Sequence, residues 1–532
     1  MRDNKLDLAA DLVQKALASN ANNAKAQLAS AELDVLTGKL PDAEKAVADL
    51  AVRKPPLAMM EQVQLGIVKG KLLVAQGKDD EAIDAFAEAA KLAGDLDLTP
   101  TMLAVTKLAE QTNKTTDPAK QQAYRQRAEQ LLSALAERAQ EDAQLSTQLG
   151  VAYLQAGDAA KGEMFLRRAV NLRDEDPEAK LQLGKALSAL GRTDEAIDQI
   201  NNAIKLEPKR VDFRLELART YQNAKRDDEA IKAYDELLAL PDVPPIVRAN
   251  AGRFFVKKGL LERKPELIQK GAAQAQPILD VEPESAAGLY LKGEGLILQK
   301  KYDDAAPALT KATDLDPEAQ YLDALGRSLE GRIVNDTKFI EGARVAYERA
   351  GKTDPKLAHA LLGQGHMLVE QRHYEEALKP LLSAKQLDND NSEIEYWTGM
   401  AYFGLRSQSK QHAATAALWL EASKKGQPQL PLQLRAEAAY RLGQLYVDTN
   451  KAQAAAANFL LGTELGEELE KQAGITPDWL TESYYDLGAL YRDMSNYPAQ
   501  KRAWERYLAR NPKSDVRVKD AKDALATSLQ RY

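Results

Sequence analysis

The amino-acid sequence predicts an all-α protein, a solenoid of antiparallel helix pairs stacked in chain order. Three observations carry that expectation. Leu149, Leu183 and Leu217 stand 34 residues apart, and a period of that length marks a unit too small to bury its own apolar face, so that copies must stack. A fixed spacing recurs: Leu-Gly, small residues twelve and nineteen places after the Gly, and Pro five further on. It is intact at Leu183-Gly184, Ala196, Ala203 and Pro208, and from the glycine onward it appears again at Gly293, Ala305, Ala312 and Pro317. It is nearly intact at Gly70, Ala82, Ala89 and at Gly365, Ala377, Ala384. Finally, 532 residues with 44% hydrophobic, 28% charged and 6% aromatic side chains describe a globular chain far longer than one core supports.

Within one unit, Leu183, Leu187, Ile197, Ile200 and Ile204 recur at three- and four-residue steps, the apolar stripe of amphipathic helices. Gly184 is expected to face Ala196, and Gly293 to face Ala305, where the two helices cross closely. Gly191 stops the first helix, Thr193 or Asp194 caps the second, and Pro208 ends the unit because it lacks a helical donor.

Taken in order along the chain, Leu8 to Leu17 reads as the second helix of a repeat with no first helix before it, so that an apolar edge at Leu8, Leu12 and Val13 stays open to self-association. About thirteen helix pairs follow by this pattern. Residues 99–139 are helical by pattern but lack the Gly and Ala signature. Insertions fall at 261–265, 331–338, 406–412 and 470–477. Beyond Pro512, Val518, Ala521, Leu525 and Leu529 share one face with Lys519, Asp520, Lys522 and Asp523 elsewhere, which suits a polar-backed capping helix over 513–531. No Pro- or Ser-rich linker divides the chain, so the expectation is one continuous solenoid over 1–532.

The segment LQLGKALSALGRTDEAIDQINNAIKLEP, Leu181 to Pro208, resembles the tetratricopeptide repeat family throughout. That resemblance implies a right-handed superhelix whose concave groove is lined by the first helix of each pair and holds protein or peptide partners. Carried over by distance from the Gly, the groove positions lie three before it, one after it and four after it. In the C-terminal half the first of these is tyrosine at Tyr290, Tyr396, Tyr440 and Tyr485, with Glu294, Ile297, His366, Val369, Met400, Phe403, Gln444, Val447 and Arg492 in the companion places. The expected partner-binding groove is Tyr290, His359, His366, Tyr396, Met400, Tyr440 and Tyr485, because binding energy concentrates in a few large anchors. The competing expectation is that these tyrosines fill space between adjacent first helices. In the N-terminal half Thr147, Val151, Lys185, Arg219 and Gln222 hold the same places, smaller and more polar. The Lys and Asn clamp by which some family members hold chaperone tails is missing.

Composition narrows function further. Lys and Arg number 72 and Asp and Glu 79, a net charge of -7 with both signs interspersed, so nucleic acid is not an expected partner. No run of apolar residues reaches a membrane span, so no direct membrane insertion is expected. The lack of cysteine excludes thiolate chemistry and leans toward an extracytoplasmic, periplasmic setting. Phosphate-loop, zinc-protease, nucleophile-elbow and dinucleotide motifs are missing. His359, His366 and His373 recur every seven residues, too far apart along a helix for His359 and His366 to share a metal, and acidic pairs such as Asp303-Asp304 and Glu375-Glu376 serve helix N-termini. The expectation is a non-catalytic interaction scaffold without cofactor or metal, part of a larger bacterial assembly. The alternative is the regulatory or substrate-recruiting region of an enzyme whose catalytic domain lies upstream of residue 1.

Overall fold

The computed structural model describes residues 2–94, 96–133, 135–334 and 336–529. Among these the chain is helical with no strand, an all-α helical repeat solenoid. It divides into two compact units, Met1–Val243 and Pro244–Tyr532.

In the first unit, α1 (Arg2–Ser19) is followed by six antiparallel pairs. These are α2 (Ala24–Leu36) with α3 (Leu40–Ala51), α4 (Met59–Ala75) with α5 (Asp79–Ala93), and α6 (Thr99–Lys114) with α7 (Pro118–Ser133). Then come α8 (Ala143–Gln155) with α9 (Ala159–Leu172), α10 (Pro177–Ala189) with α11 (Thr193–Leu206), and α12 (Val211–Asn223) with α13 (Asp227–Leu238). The second unit opens with α14 (Pro245–Glu262) against α15 (Pro265–Ala272) and a short α16 (Ala275–Leu279). Six more pairs follow: α17 (Ala286–Leu298) with α18 (Tyr302–Leu315), α19 (Ala319–Glu330) with α20 (Phe339–Thr353), and α21 (Ala358–Glu370) with α22 (Tyr374–Leu387). The last three are α23 (Ser392–Gly404) with α24 (Lys410–Ser423), α25 (Leu432–Asp448) with α26 (Ala452–Ala473), and α27 (Asp478–Asp493) with α28 (Tyr497–Ala509); α29 (Asp515–Leu529) closes the unit.

The small-residue spacing buries as expected: Leu183, Leu187, Ala196, Ile200 and Ala203 are all in the core. The close approach at the glycine differs in detail. A methyl group on Gly184 would stand 2.5 Å from Ile200 Cγ1 and 3.1 Å from the Ala196 carbonyl oxygen, and one on Gly293 would strike Leu309 rather than Ala305. The same large residue sixteen places on fills the space over Gly150, Gly365, Gly443 and Gly488, as Leu166, Leu381, Phe459 and Trp504. Each glycine therefore makes room for an apolar side chain of the second helix, and at Gly184 the Ala196 backbone comes near as well. At the turn, Gly191 takes φ +75 as its role requires. Neither Thr193 nor Asp194 caps α11; Arg192 is the N-cap residue, without a side-chain cap bond. Asp194 accepts instead from Arg226 at 2.8 Å, and Glu195 accepts from Arg192.

The irregular places resolve individually. The first half of the expected insertion at 470–477 prolongs α26 to 22 residues before Gly474 turns the chain. Residues 261–265 form a two-residue junction at Arg263 and Lys264, and the described residues among 331–338 lie in turns between α19 and α20. Helix α1 packs on α2 and leaves Leu8 62% and Leu12 59% exposed. At the other end Ala521 of α29 is buried with Val518 and Leu525 packed beside it; the side chain of Leu529 and residues 530–531 of the expected cap lie outside the described residues. No helix among the described residues is long and apolar enough to cross a membrane.

Candidate binding face

The first helices α17, α21, α23, α25 and α27 carry the expected site residues of the second unit, and α19 packs against both α17 and α21. Three of the four tyrosines do not stand open on this face. Tyr290, Tyr396 and Tyr440 are buried, at 1%, 0% and 4% exposure. Tyr290 stacks on Tyr321 of α19 with ring centroids 4.5 Å apart, Tyr440 stacks on Trp479 of α27 at 5.0 Å, and Tyr396 packs edge-on against Trp397 at 4.9 Å. The expectation that they anchor a partner directly is corrected on this point: adjacent first helices need large flat side chains between them, and these rings supply that contact. Tyr485 remains half-buried, its hydroxyl donating to Asp520 of α29 at 2.6 Å.

Around the rings runs a ladder of charged groups that spacing alone did not reveal. Arg327 of α19 forks onto buried Glu294 of α17, with Nη1 donating at 3.0 Å, and its Nε donates to Asp323 at 3.0 Å. Asp323 also meets His359 Nδ1 of α21 at 2.7 Å. Two turns further on, Glu330 of α19 accepts from Tyr347 and pairs with His366 Nδ1 at 3.0 Å, while His366 Nε2 lies 3.6 Å from Glu370. The imidazole of His366 lies over Trp397 of α23 at 3.6 Å between centroids. Toward the C-terminal end, Tyr440 donates to Asp486 at 3.1 Å and Gln444 donates to Tyr440 at 2.9 Å. Arg517 of α29 reaches Glu482, and Arg492 donates to Asp520 at 3.1 Å.

These partners set the protonation states. Burial raises the Asp323 carboxyl, but His359 and Arg327 beside it outweigh burial and hold it at about 2. Burial lowers the His366 imidazole, yet its hydrogen bonds with Glu330 and Glu370 carry it up to about 9. His359 is likewise raised by Asp323 against its own desolvation. His366 is therefore cationic at neutral pH, and both histidines bridge α19 and α21 through carboxylates. Burial pushes Asp486 up despite Tyr440 and Arg517.

What stays open on this face is a smaller set. The His359 side chain is 49% exposed, Met400 is half-buried, and Glu370, Val447 and Arg492 are exposed or nearly so. The signal for the missed groups was present in the sequence, since Glu294, Arg327 and His366 each follow a repeat glycine by one residue, but which charges meet depends on the lateral offset of neighbouring helices. Among the described residues no group of acidic, histidine or cysteine side chains could hold a metal ion.

The tetratricopeptide repeat family model matches residues 181–244 and 257–320. Among solved structures, the chain is similar to a tetratricopeptide repeat protein from Parabacteroides merdae, at 13% identity over 49% of this chain and 98% of that one, with a TM-score of 0.38. It is similar to the Cut9–Hcn1 hetero-tetramer of the APC/C at 13% identity, 99% and 94% coverage and a TM-score of 0.39. It is also similar to human IFIT1, solved as a dimer with m7Gppp-AAAA, at 17% identity, 88% and 94% coverage and a TM-score of 0.31. No curated protein matches the chain. At these levels of identity and superposition, none of the three structures indicates what this chain binds.

Proposed function

This chain is a tetratricopeptide repeat protein, and from that premise we propose that it is a non-catalytic scaffold holding protein partners on the first-helix face of its second unit. One observation carries the reading. Successive first helices are cross-linked by buried rings and ion pairs, which preorganises the face, while His359, Glu370, Met400, Val447 and Arg492 keep atoms open on it. Tyr290, Tyr396 and Tyr440 act in this scheme by setting the spacing of the helices rather than by touching the partner.

The test compares partners captured from native lysate by the wild-type chain and by a Met400→Glu, Val447→Glu variant, with Thr147→Glu, Arg219→Glu as the control. A partner lost with the first variant and kept with the second supports the face. Equal recovery by all three proteins would end the proposal.

A further inference from the structure

In the first unit the pair α6–α7, which lacks the glycine and alanine signature, coincides with a cleft of about 620 Å³ between the start of α6 and helix α8. Its two walls differ in chemistry. The α6 side presents Leu96, Met102 and Leu103, and Leu96 is 69% exposed. The α8 side presents Gln144, Gln148 and Gln155, whose spacing of four and seven puts them on one helix face. Thr106 Oγ1 ties the walls together at one end by donating to Gln155 at 3.1 Å.

Charge selects the occupant. The only charged side chains lining the cleft among the described residues are Asp97 and Asp142. Asp97 Oδ1 accepts from the Thr99 amide at 2.9 Å, and Asp142 Oδ1 accepts from the amides of Gln144 and Leu145 at 2.9 and 3.0 Å. Asp142 caps α8, while Asp97 closes a turn just ahead of α6, whose N-cap residue Leu98 makes no side-chain cap bond. Each helix N-terminus offsets about half a charge, so the rim stays negative, with no cationic side chain lining it among the described residues. Opposite an apolar wall, a row of side-chain amides offers both donors and acceptors, which suits the alternating groups of an extended backbone.

We propose that this cleft takes an extended peptide segment with lysine or arginine beside an aliphatic residue: the cation at Asp97 and Asp142, the aliphatic side chain against Leu96 and Met102, and the backbone along Gln144 and Gln148. The proposal rests on the reading of the chain as a protein-binding scaffold, but it uses none of the residues assigned to the second unit's face.

The probe is a dye-labelled twelve-residue peptide alternating lysine and leucine, with one leucine photoreactive, compared with its glutamate–leucine counterpart. The lysine peptide should bind by fluorescence anisotropy and the glutamate peptide should not, and cross-links should fall within 96–106 and 142–155. Asp97→Asn with Asp142→Asn keeps the α8 cap and the turn at Asp97, because asparagine serves as well as aspartate in both. That variant should weaken binding about fivefold, the worth of two exposed charge pairs. Met400→Glu with Val447→Glu should change nothing here, which separates this test from the lysate capture. Equal binding of the two peptides, cross-links elsewhere, or an unaffected Asn variant would each overturn the assignment.

Discussion

Tyr396 shows how a side chain can matter to binding without being reached by a ligand. Its ring is fully buried beside Trp397, so Tyr396→Ala should cost about 3–5 kcal/mol of stability through the cavity it opens. Denaturant titration reads this directly; a loss below about 1 kcal/mol would mean the ring is not packed as described. Gly184 carries the opposite constraint. With Ile200 and a backbone oxygen already in contact range, Gly184→Leu should overpack the crossing and cost about 1–3 kcal/mol or more. An unchanged thermal midpoint would remove the contact. His366 adds a pH signature. Its folded pKa of about 9 lies above the unfolded value near 6.5, so its ion pair contributes fully below pH 6.5 and is lost as pH rises through 9. Asp323 has the reverse sign, with its contribution present above about pH 4 and lost as pH falls toward 2. The stability difference between wild type and His366→Gln should accordingly shrink between pH 6 and pH 9.5, and a constant difference would count against the bridge.

Helices in this chain gain stability mainly from their neighbours, and the ends test this most clearly. Helix α29 is tied to α27 by Tyr485 and Arg492 converging on Asp520, and by Arg517 reaching Glu482. Asp520→Ala should therefore speed amide exchange across 515–526 while leaving α25 and α26 protected, since only the local contact is removed. Exchange rates equal to wild type in α29 would show that burial of Ala521 holds the helix without the ladder. The sequence marked this helix by its polar back, and it marked the last turn of α26 only as part of an insertion at 470–477. That segment stays helical because nothing before Gly474 breaks the pattern, and in the added turn Glu470 accepts from Arg510 at 2.8 Å.

Within each unit a pair touches chiefly the pairs next to it in sequence, the arrangement in which stability is a sum of local and nearest-neighbour terms. Damage should then stay local: Tyr396→Ala is expected to loosen α21 to α25 while exchange in α2 to α5 is unchanged. Thirteen helix pairs, their order, the positions of the close-packed glycines and the C-terminal helix were legible in the amino-acid sequence because each depends on residues close in the chain: a 34-residue period, three- and four-residue apolar steps, and backbone-permissive residues at turns. The candidate face was legible only in outline. Tyr290, Tyr396 and Tyr440 lie where the spacing put them, but whether a ring points to solvent or into the seam between first helices depends on how far those helices slide past one another. The same offset decides that Arg327 meets Glu294, that His359 meets Asp323, and that the irregular α6–α7 pair leaves a cleft beside α8. Local sequence specifies a helix and its apolar stripe through interactions within a few residues; the lateral packing of stripes is a many-body fit of side-chain volumes and charges from residues some 30 to 50 apart, and only the assembled tertiary structure selects it.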